Sequence, residues 1–329
     1  MRVLVTGATG FLGSHVAEQL ARAEHTVVAL VRKSSNRKFL NTLGKNIEFA
    51  EGAVEEAASV EAAVKGVDAI VHCAGLVKAR SPEEFRLVNV TGTGNLHDAT
   101  KKHTPNLKRF VFISSLAAMG PSADGKPLRG DPEPHPVSHY GRSKLEAERL
   151  VRAAKDDIKV TVLRPPAVYG PRDQEIFAAF QAVSRRILPA IGEPNATMSM
   201  IYGADAAAAC VCAIFADVPS GSVYFIEDGH IYSFREMVEG IEAAIGKKAL
   251  IRPNVPMPVL QAAAMATELF GKLTNRAVML TRDKVNEIRQ PHWVCSSEDA
   301  QKELGWTPKI MLREGTTLTA RWYRDNGWL

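Results

Sequence analysis

Residues 2 to 15 read Arg-Val-Leu-Val-Thr-Gly-Ala-Thr-Gly-Phe-Leu-Gly-Ser-His, an apolar strand running straight into three glycines. Gly7, Gly10 and Gly13 fall where a strand must turn tightly and open a helix. Backbone without Cβ atoms can approach a large anion closely there. The exposed N–H groups and the positive end of the helix dipole then hold it. The spacing is G-x-x-G-x-x-G rather than G-x-G-x-x-G, and it carries Thr9, Phe11 and Leu12 between the glycines. With a strand before it and a helix after it, the run reads as a pyrophosphate cradle at the carboxyl end of a first strand, and so as a dinucleotide site.

Residues 1–165 continue as alternating strands and helices. Strands are predicted at Val3–Val5, Thr26–Val31, Ile47–Ala50, Ala69–His72, Arg109–Ile113 and Lys159–Leu163. Helices are predicted at Ser14–Ala23, Ala57–Lys65, Phe85–Lys102 and Ser143–Ala154. Such alternation implies an α/β fold, a Rossmann-type doubly wound parallel sheet with helices on both faces. Beyond Arg164 the regularity fades, and prolines at 165, 166, 171, 189 and 194 mark loops and helix starts. Val223–Ile226 reads as one more strand. The expected organisation is a dinucleotide-binding domain over 1–165, with a returning segment near 196–226. A smaller, mostly helical substrate lobe follows over 166–329.

Tyr140-Gly141-Arg142-Ser143-Lys144 sets a phenol and an ammonium four residues apart, on one helical face. A free tyrosine ionises near pH 10, and a neighbouring cation favours its phenolate, which suits a general acid/base. The strand Phe110–Ile113 ends in Ser114 and Ser115, at the sheet edge where ligands bind in such folds. Ser115 can hydrogen-bond a carbonyl oxygen beside Tyr140. The second strand ends Leu30-Val31-Arg32-Lys33 without the acid that accepts from ribose hydroxyls in NAD-preferring sites. Arg32 there can pair with a 2′-phosphate, which favours NADP(H) over NAD(H). His139 is expected off the catalytic face, and Asp205 is expected to start a helix at Ala206 in a structural role.

Charge narrows the partners. Lys and Arg number 41 against 36 Asp and Glu, with no basic block and no interleaved aromatics, so nucleic acid has little support. Cys73, Cys210, Cys212 and Cys295 form no C-x-x-C pair, which suits neither a zinc site nor a disulfide framework and points to a reduced, cytoplasmic setting. No metal is expected. No signal peptide fits an opening strand, and no apolar run reaches the roughly 20 residues of a membrane helix.

The motifs Thr6–Gly13, His72-Cys-Ala-Gly75, Asn89-Val-Thr-Gly-Thr93, Ser114–Gly120, Tyr140/Lys144 and Arg164–Pro171 together resemble the extended short-chain dehydrogenase/reductase family, in that family's order over half the chain. The resemblance implies that Tyr140 is the catalytic acid/base and that Lys144 lowers its pKa and binds the nicotinamide ribose. Ser115 then positions the substrate oxygen, with Ser114 its strand neighbour. Asn89 takes the place of a helix asparagine near the cofactor. Ala74 and Gly75 pass the adenosine ribose, and Pro165–Val168 meets the carboxamide. Gly52-Ala53 stands where the family often has Gly-Asp, leaving Val54 as a backbone contact for adenine. The resemblance also implies a homodimer through the helices carrying Asn89 and Tyr140.

Within the family the chain is similar to the branch of 3β-hydroxysteroid dehydrogenases, dihydroflavonol reductases and related ketoreductases. Met119 replaces the tyrosine usual in sugar-nucleotide enzymes, and Leu116-Ala117 replaces a dehydratase Asp-Glu pair. Ala117, Met119 and Lys78 are the candidate substrate contacts. The expectation is a ketone/alcohol oxidoreductase on a small, largely apolar substrate. The alternatives are a nucleotide-sugar 4-epimerase holding NAD tightly, and a non-catalytic sensor or assembly protein on the same fold. Pro258–Phe270 reads as an apolar helix packed on the lobe's own core. A lipid-facing role is the less favoured reading, because its polar face is thin.

Overall fold

The computed structural model describes all 329 residues except Pro194, so the loop expectation at that proline lies outside the described residues. Strands β1 (Arg2–Thr6), β2 (Thr26–Val31), β3 (Ile47–Glu51), β4 (Ala69–His72), β5 (Phe110–Ile113) and β6 (Val160–Arg164) form as the sequence pattern predicts, within a residue or so at each end. A short β7 (Ala167–Tyr169) and β8 (Thr197–Tyr202) follow, then β9 (Ser222–Phe225), β10 (Ile231–Ser233) and β11 (His292–Trp293). Seven strands make one parallel sheet in the order β3-β2-β1-β4-β5-β6-β9. The order reverses direction at β1, and the gap between β1 and β4 is where a doubly wound sheet binds its ligand.

The strands are apolar on both faces because both are covered. Val3, Val5, Val71, Val111 and Leu163 point to one side, into a core shared with the helices Phe11–Arg22 and Gly203–Phe215. Leu4, Ile70, Phe112 and Val162 point to the other, against Leu96, Ala147 and Val151 of the helices Gly92–His103 and His139–Ala153. In the segment 196–226, β9 joins the main sheet beside β6. β8 instead belongs to a small sheet, antiparallel to β10 and parallel to β7 and β11.

Three local readings change. The helix expected over Phe85–Lys102 is broken into a single turn (Pro82–Phe85), a wide π-helical stretch (Arg86–Thr91) and an α-helix (Gly92–His103). Apolar periodicity does not register the extra residue of a π turn. The helix carrying Tyr140 starts at His139 rather than Ser143, because the Ser138 hydroxyl accepts from Gly141 N at 3.0 Å and caps it. The helix near Asp205 starts at Gly203, so Asp205 lies in its first turn. Its carboxylate accepts from the backbone N–H groups of Lys309 and Ile310, which is a structural role but not a cap.

The apolar stretch Pro258–Phe270 is helical, as part of Met257–Thr274, and it packs on a small core of its own lobe, with Leu260 and Ala264 against Val285, through one narrow stripe. Only Leu260, Ala264 and Gly271 of its 18 residues are buried. Apolar residues on more than one side of a helix leave its pattern silent about which narrow stripe meets the protein.

One buried ionic cluster ties the sheet edge to the helix His139–Ala153. Arg164, at the end of β6, donates to Glu148 through Nε (3.1 Å) and to Asp131 through Nη2 (2.7 Å). Ser114, just past the end of β5, donates to the same Glu148 carboxylate at 2.7 Å. Arg164 and Glu148 are shielded from solvent. Removing one member strands the other charge, so Glu148→Ala is expected to cost about 3–5 kcal/mol in urea unfolding, with Glu148→Gln costing less.

Candidate active site

The glycines do what their spacing requires. Gly7 has φ +68°, and a Cβ there would stand 2.8 Å from Ala74 N. A Cβ on Gly13 would stand 2.2 Å from Gly7 O. Gly10 precedes the helix Phe11–Arg22 without any side-chain cap, so the first N–H groups of that helix face outward without protein acceptors of that kind. This concave, donor-rich turn fits a pyrophosphate.

Ser115 begins the short turn Leu116–Met119. Its Oγ accepts from Ala117 N at 3.1 Å, which leaves its hydroxyl proton free to donate. Tyr140 and Lys144 lie one turn apart on the helix His139–Ala153. Gly141 between them is a residue whose purpose the sequence did not reveal. A Cβ there would stand 2.2 Å from Ala117 O, so glycine lets the Tyr140 helix close onto the Ser115 turn.

The electrostatics differ from the simple pairing expected. Burial pushes the Tyr140 phenol up to about 12; Ser115 pulls it down and the Glu287 carboxylate adds to the rise. Lys144 is not among these influences. Its ammonium lies 4.5 Å from the centre of the Phe112 ring, and burial lowers its pKa to about 8, opposed by Cys73 and Glu148. Both groups are thus held nearer neutrality by desolvation than by each other.

Gly7, Thr9, Gly10, Phe11, Leu12, Gly13, Ala74, Gly75, Ser114, Pro165 and Val168 all line one cavity of about 1970 Å³, together with Ser115, Tyr140, Lys144, Lys78 and Ala117. That volume exceeds the roughly 300–1,000 Å³ of a small-ligand pocket, leaving room for a dinucleotide and a substrate. Lys78 meets Glu175 across it at 3.4 Å. His139 also lines the cavity, and its backbone N–H donates to Asp283 of the helix Arg282–Ile288 at 2.8 Å. Asp283 and Glu287 reach the catalytic region from far along the chain, so no local pattern announced them.

Four expected site residues are not on the lining of this cavity. Asn89 is buried with its amide fully engaged: Nδ2 donates to Ser143 Oγ (2.9 Å) and Leu76 O (3.1 Å), and Oδ1 accepts from Leu76 N (2.7 Å). It holds the loop after β4 against the Tyr140 helix instead of facing the cavity. Val54 packs into the sheet core beneath Gly92, and its carbonyl accepts from Asn95 at 3.0 Å. Met119 is buried against Leu116, Phe225 and Cys295, so it is not a substrate wall. Arg32 is off the cavity and pairs at 2.9 Å with Glu55, an acid that follows β3 rather than β2. The Ser114 hydroxyl, although on the wall, is engaged by Glu148. Among the described residues no cluster of three or more His, Cys, Asp or Glu side chains is arranged to hold a metal ion.

The family model described as the NAD dependent epimerase/dehydratase family matches residues 3–226. The chain belongs to that family. It is 33% identical to a ceramide reductase of Caulobacter vibrioides over 99% of this chain and 96% of the relative. It is 30% identical to a 2-alkyl-3-oxoalkanoate reductase of Stenotrophomonas maltophilia (96% and 97%) and to a UDP-glucose 4-epimerase of Vibrio cholerae (97% and 94%). Among solved structures, gox2253 superposes with a TM-score of 0.81 at 26% identity over 99% of each chain. A dTDP-glucose 4,6-dehydratase of Bacillus anthracis in complex with NAD shares the fold at TM-score 0.81 and 21% identity, over 100% of this chain and 98% of that one. The chain is an NAD(P)-dependent enzyme of the oxidoreductase type.

Burying the Lys144 ammonium has a measurable consequence. The unfolded chain keeps this proton up to the ordinary value of 10.5, whereas the folded chain releases it from about 8. The unfolded state therefore binds more protons between those values, and this group makes stability rise with pH across that window. Below it, the buried charge costs up to about 3 kcal/mol. Lys144→Met is expected to melt higher than the parent protein at pH 7, with the difference shrinking toward pH 10.5 in thermal scans.

Proposed function

We propose that this protein is an NADP(H)-dependent reductase that interconverts a ketone and a secondary alcohol on a largely apolar substrate. The observation that carries the reading is the meeting of Ser115, Tyr140 and Lys144 on one cavity wall, at the carboxyl edge of the sheet, beside the glycine cradle. When bound, the dinucleotide supplies the hydride. The Ser115 hydroxyl, fixed by Ala117 N, donates to the substrate oxygen. Tyr140, protonated at working pH by its raised pKa, delivers the proton that the new alcohol oxygen needs, and solvent replaces it. Lys144, one turn further along the same helix and on the same cavity wall, supplies a donor for the ribose of the bound dinucleotide. Leu116 and Ala117 present no acid for water elimination, which separates the site from a dehydratase. Two of the relatives just named are reductases matched over nearly their full length, and their names support a ketone on a hydrocarbon-rich substrate.

The preference for the phosphorylated dinucleotide rests on β2 ending without an acid and on the cations gathered after it. Asn36 and Lys38 line the cavity. The Arg32–Glu55 pair is half-exposed on the arginine side, so its exchange for a 2′-phosphate costs little. A homodimer through the helices Gly92–His103 and His139–Ala153, in a reducing compartment that keeps the four thiols free, completes the reading.

An NADPH-oxidation screen over β-keto acyl, steroid, flavonoid and sugar-nucleotide ketones tests it. Turnover is expected on an apolar ketone. NAD that stays bound through purification, with sugar-nucleotide epimerisation and no net oxidation, would establish the 4-epimerase instead. Turnover nowhere, with reversible nucleotide binding, would favour a non-catalytic sensor. Tyr140→Phe is expected to lower kcat by about 10²–10⁴-fold while nucleotide binding survives. Arg32→Glu is expected to raise the KM for NADPH and leave that for NADH unchanged.

A further inference from the structure

The helix Met257–Thr274 is an unpartnered apolar surface. Val259, Met265, Leu269, Phe270 and Leu273 are exposed by 56, 56, 59, 56 and 79%. At about 100° per residue they share one arc of roughly 160° with Ala262, Ala263 and Ala266, and no polar residue interrupts it. The buried stripe of Leu260, Ala264 and Gly271 lies on the opposite side. Between the two runs a polar flank, on which Glu268 and Lys272 line the active-site cavity.

Charge identifies what covers this face. Residues 247–290 hold eight Lys and Arg (Lys247, Lys248, Arg252, Lys272, Arg276, Arg282, Lys284 and Arg289) against three acids (Glu268, Asp283 and Glu287). The rest of the chain has 33 of each sign, so the entire surplus of five positive charges sits in the segment that carries the apolar arc. Its three acids are already paired: Glu268 with Arg282, Glu287 with Lys284, and Asp283 with Arg142. Lys272 and Arg276 stand exposed at the end of the helix. A helix with a wide apolar arc and a surrounding excess of cations has the chemistry of an interfacial element on an anionic lipid surface. A second copy of the chain would bring the same surplus against itself.

We propose that the helix Met257–Thr274 docks this protein on an anionic bilayer surface, with its apolar arc in the lipid and its polar flank at the mouth of the active-site cavity. Docking itself does not depend on the proposed reaction. Only the corollary, that an apolar ketone enters from the membrane, rests on that reading.

The test is co-sedimentation of the full chain with vesicles of phosphatidylglycerol and phosphatidylcholine in equal parts, and with phosphatidylcholine alone. Binding is expected to the anionic vesicles, to weaken with added salt, and to fall about tenfold or more in Leu269→Gln/Leu273→Gln. Both leucines are exposed and off the cavity, so this variant is expected to keep the parent's melting temperature and its NADPH binding. Absence of binding to anionic vesicles would overturn the proposal. So would binding unchanged by the double substitution, or a dimer on gel filtration that the same substitution splits. Because the readout is sedimentation, failure of the reductase reading leaves it intact, and its own failure leaves that reading standing.

Discussion

The contact between Arg164 and Glu148 is what the candidate site is built on. Glu148 lies one helical turn beyond Lys144, and Arg164 lies one residue before the segment Pro165–Val168. Ser114, the third member, is the neighbour of Ser115. One buried carboxylate therefore fixes the helix of Tyr140 and Lys144, the strand end next to Ser115 and the strand leading to Pro165. A buried ion pair contributes little net stability over a hydrophobic replacement. Its value here is geometric, because its partners can satisfy one another in a single arrangement.

A second buried chain reaches from the glycine cradle to the same helix. Ala74 N donates to Thr6 Oγ1, which meets His72 Nδ1 at 2.6 Å, and His72 Nε2 meets Thr93 Oγ1 at 2.9 Å. Thr93 donates onward to the Asn89 carbonyl, and the Asn89 amide holds Ser143. Counting donors assigns the proton of His72 to Nε2, since the Thr93 hydroxyl proton is already given to Asn89. Burial, with the Lys144 charge, lowers the pKa of His72 to about 3, so the ring stays neutral and the direction of the chain is fixed. Asn89 thus ties the loop after β4 to the helix that carries Tyr140 and Lys144.

How far the site could be read follows from the range of each interaction. The glycine run, Ser115, Tyr140 and Lys144 are local patterns, each defined by a strand end or a single helical turn. Arg32 looked free because its partner Glu55 follows β3 rather than β2. Met119 looked like a wall because four residues of apolar sequence do not say which way a one-turn helix faces; with Leu116 three positions away, it turns toward Phe225 and Cys295. Asp283 and Glu287 arrive from a helix more than a hundred residues later. The charge surplus can be placed in residues 247–290 from the sequence, but not against the exposed apolar face that those residues surround.

The sequence by itself determined the doubly wound sheet, the glycine turn after its first strand and the candidate pair Tyr140 and Lys144, because strand periodicity, missing Cβ atoms and i,i+4 spacing act within a few residues. Only the tertiary structure decided how those parts are held and which surface is left uncovered. Burial sets the states of Tyr140, Lys144 and His72, and burial exists only once distant elements pack. The helix Met257–Thr274 shows the same limit from outside. Its apolar residues were plain in the chain, and only packing showed that most of them have no protein to meet.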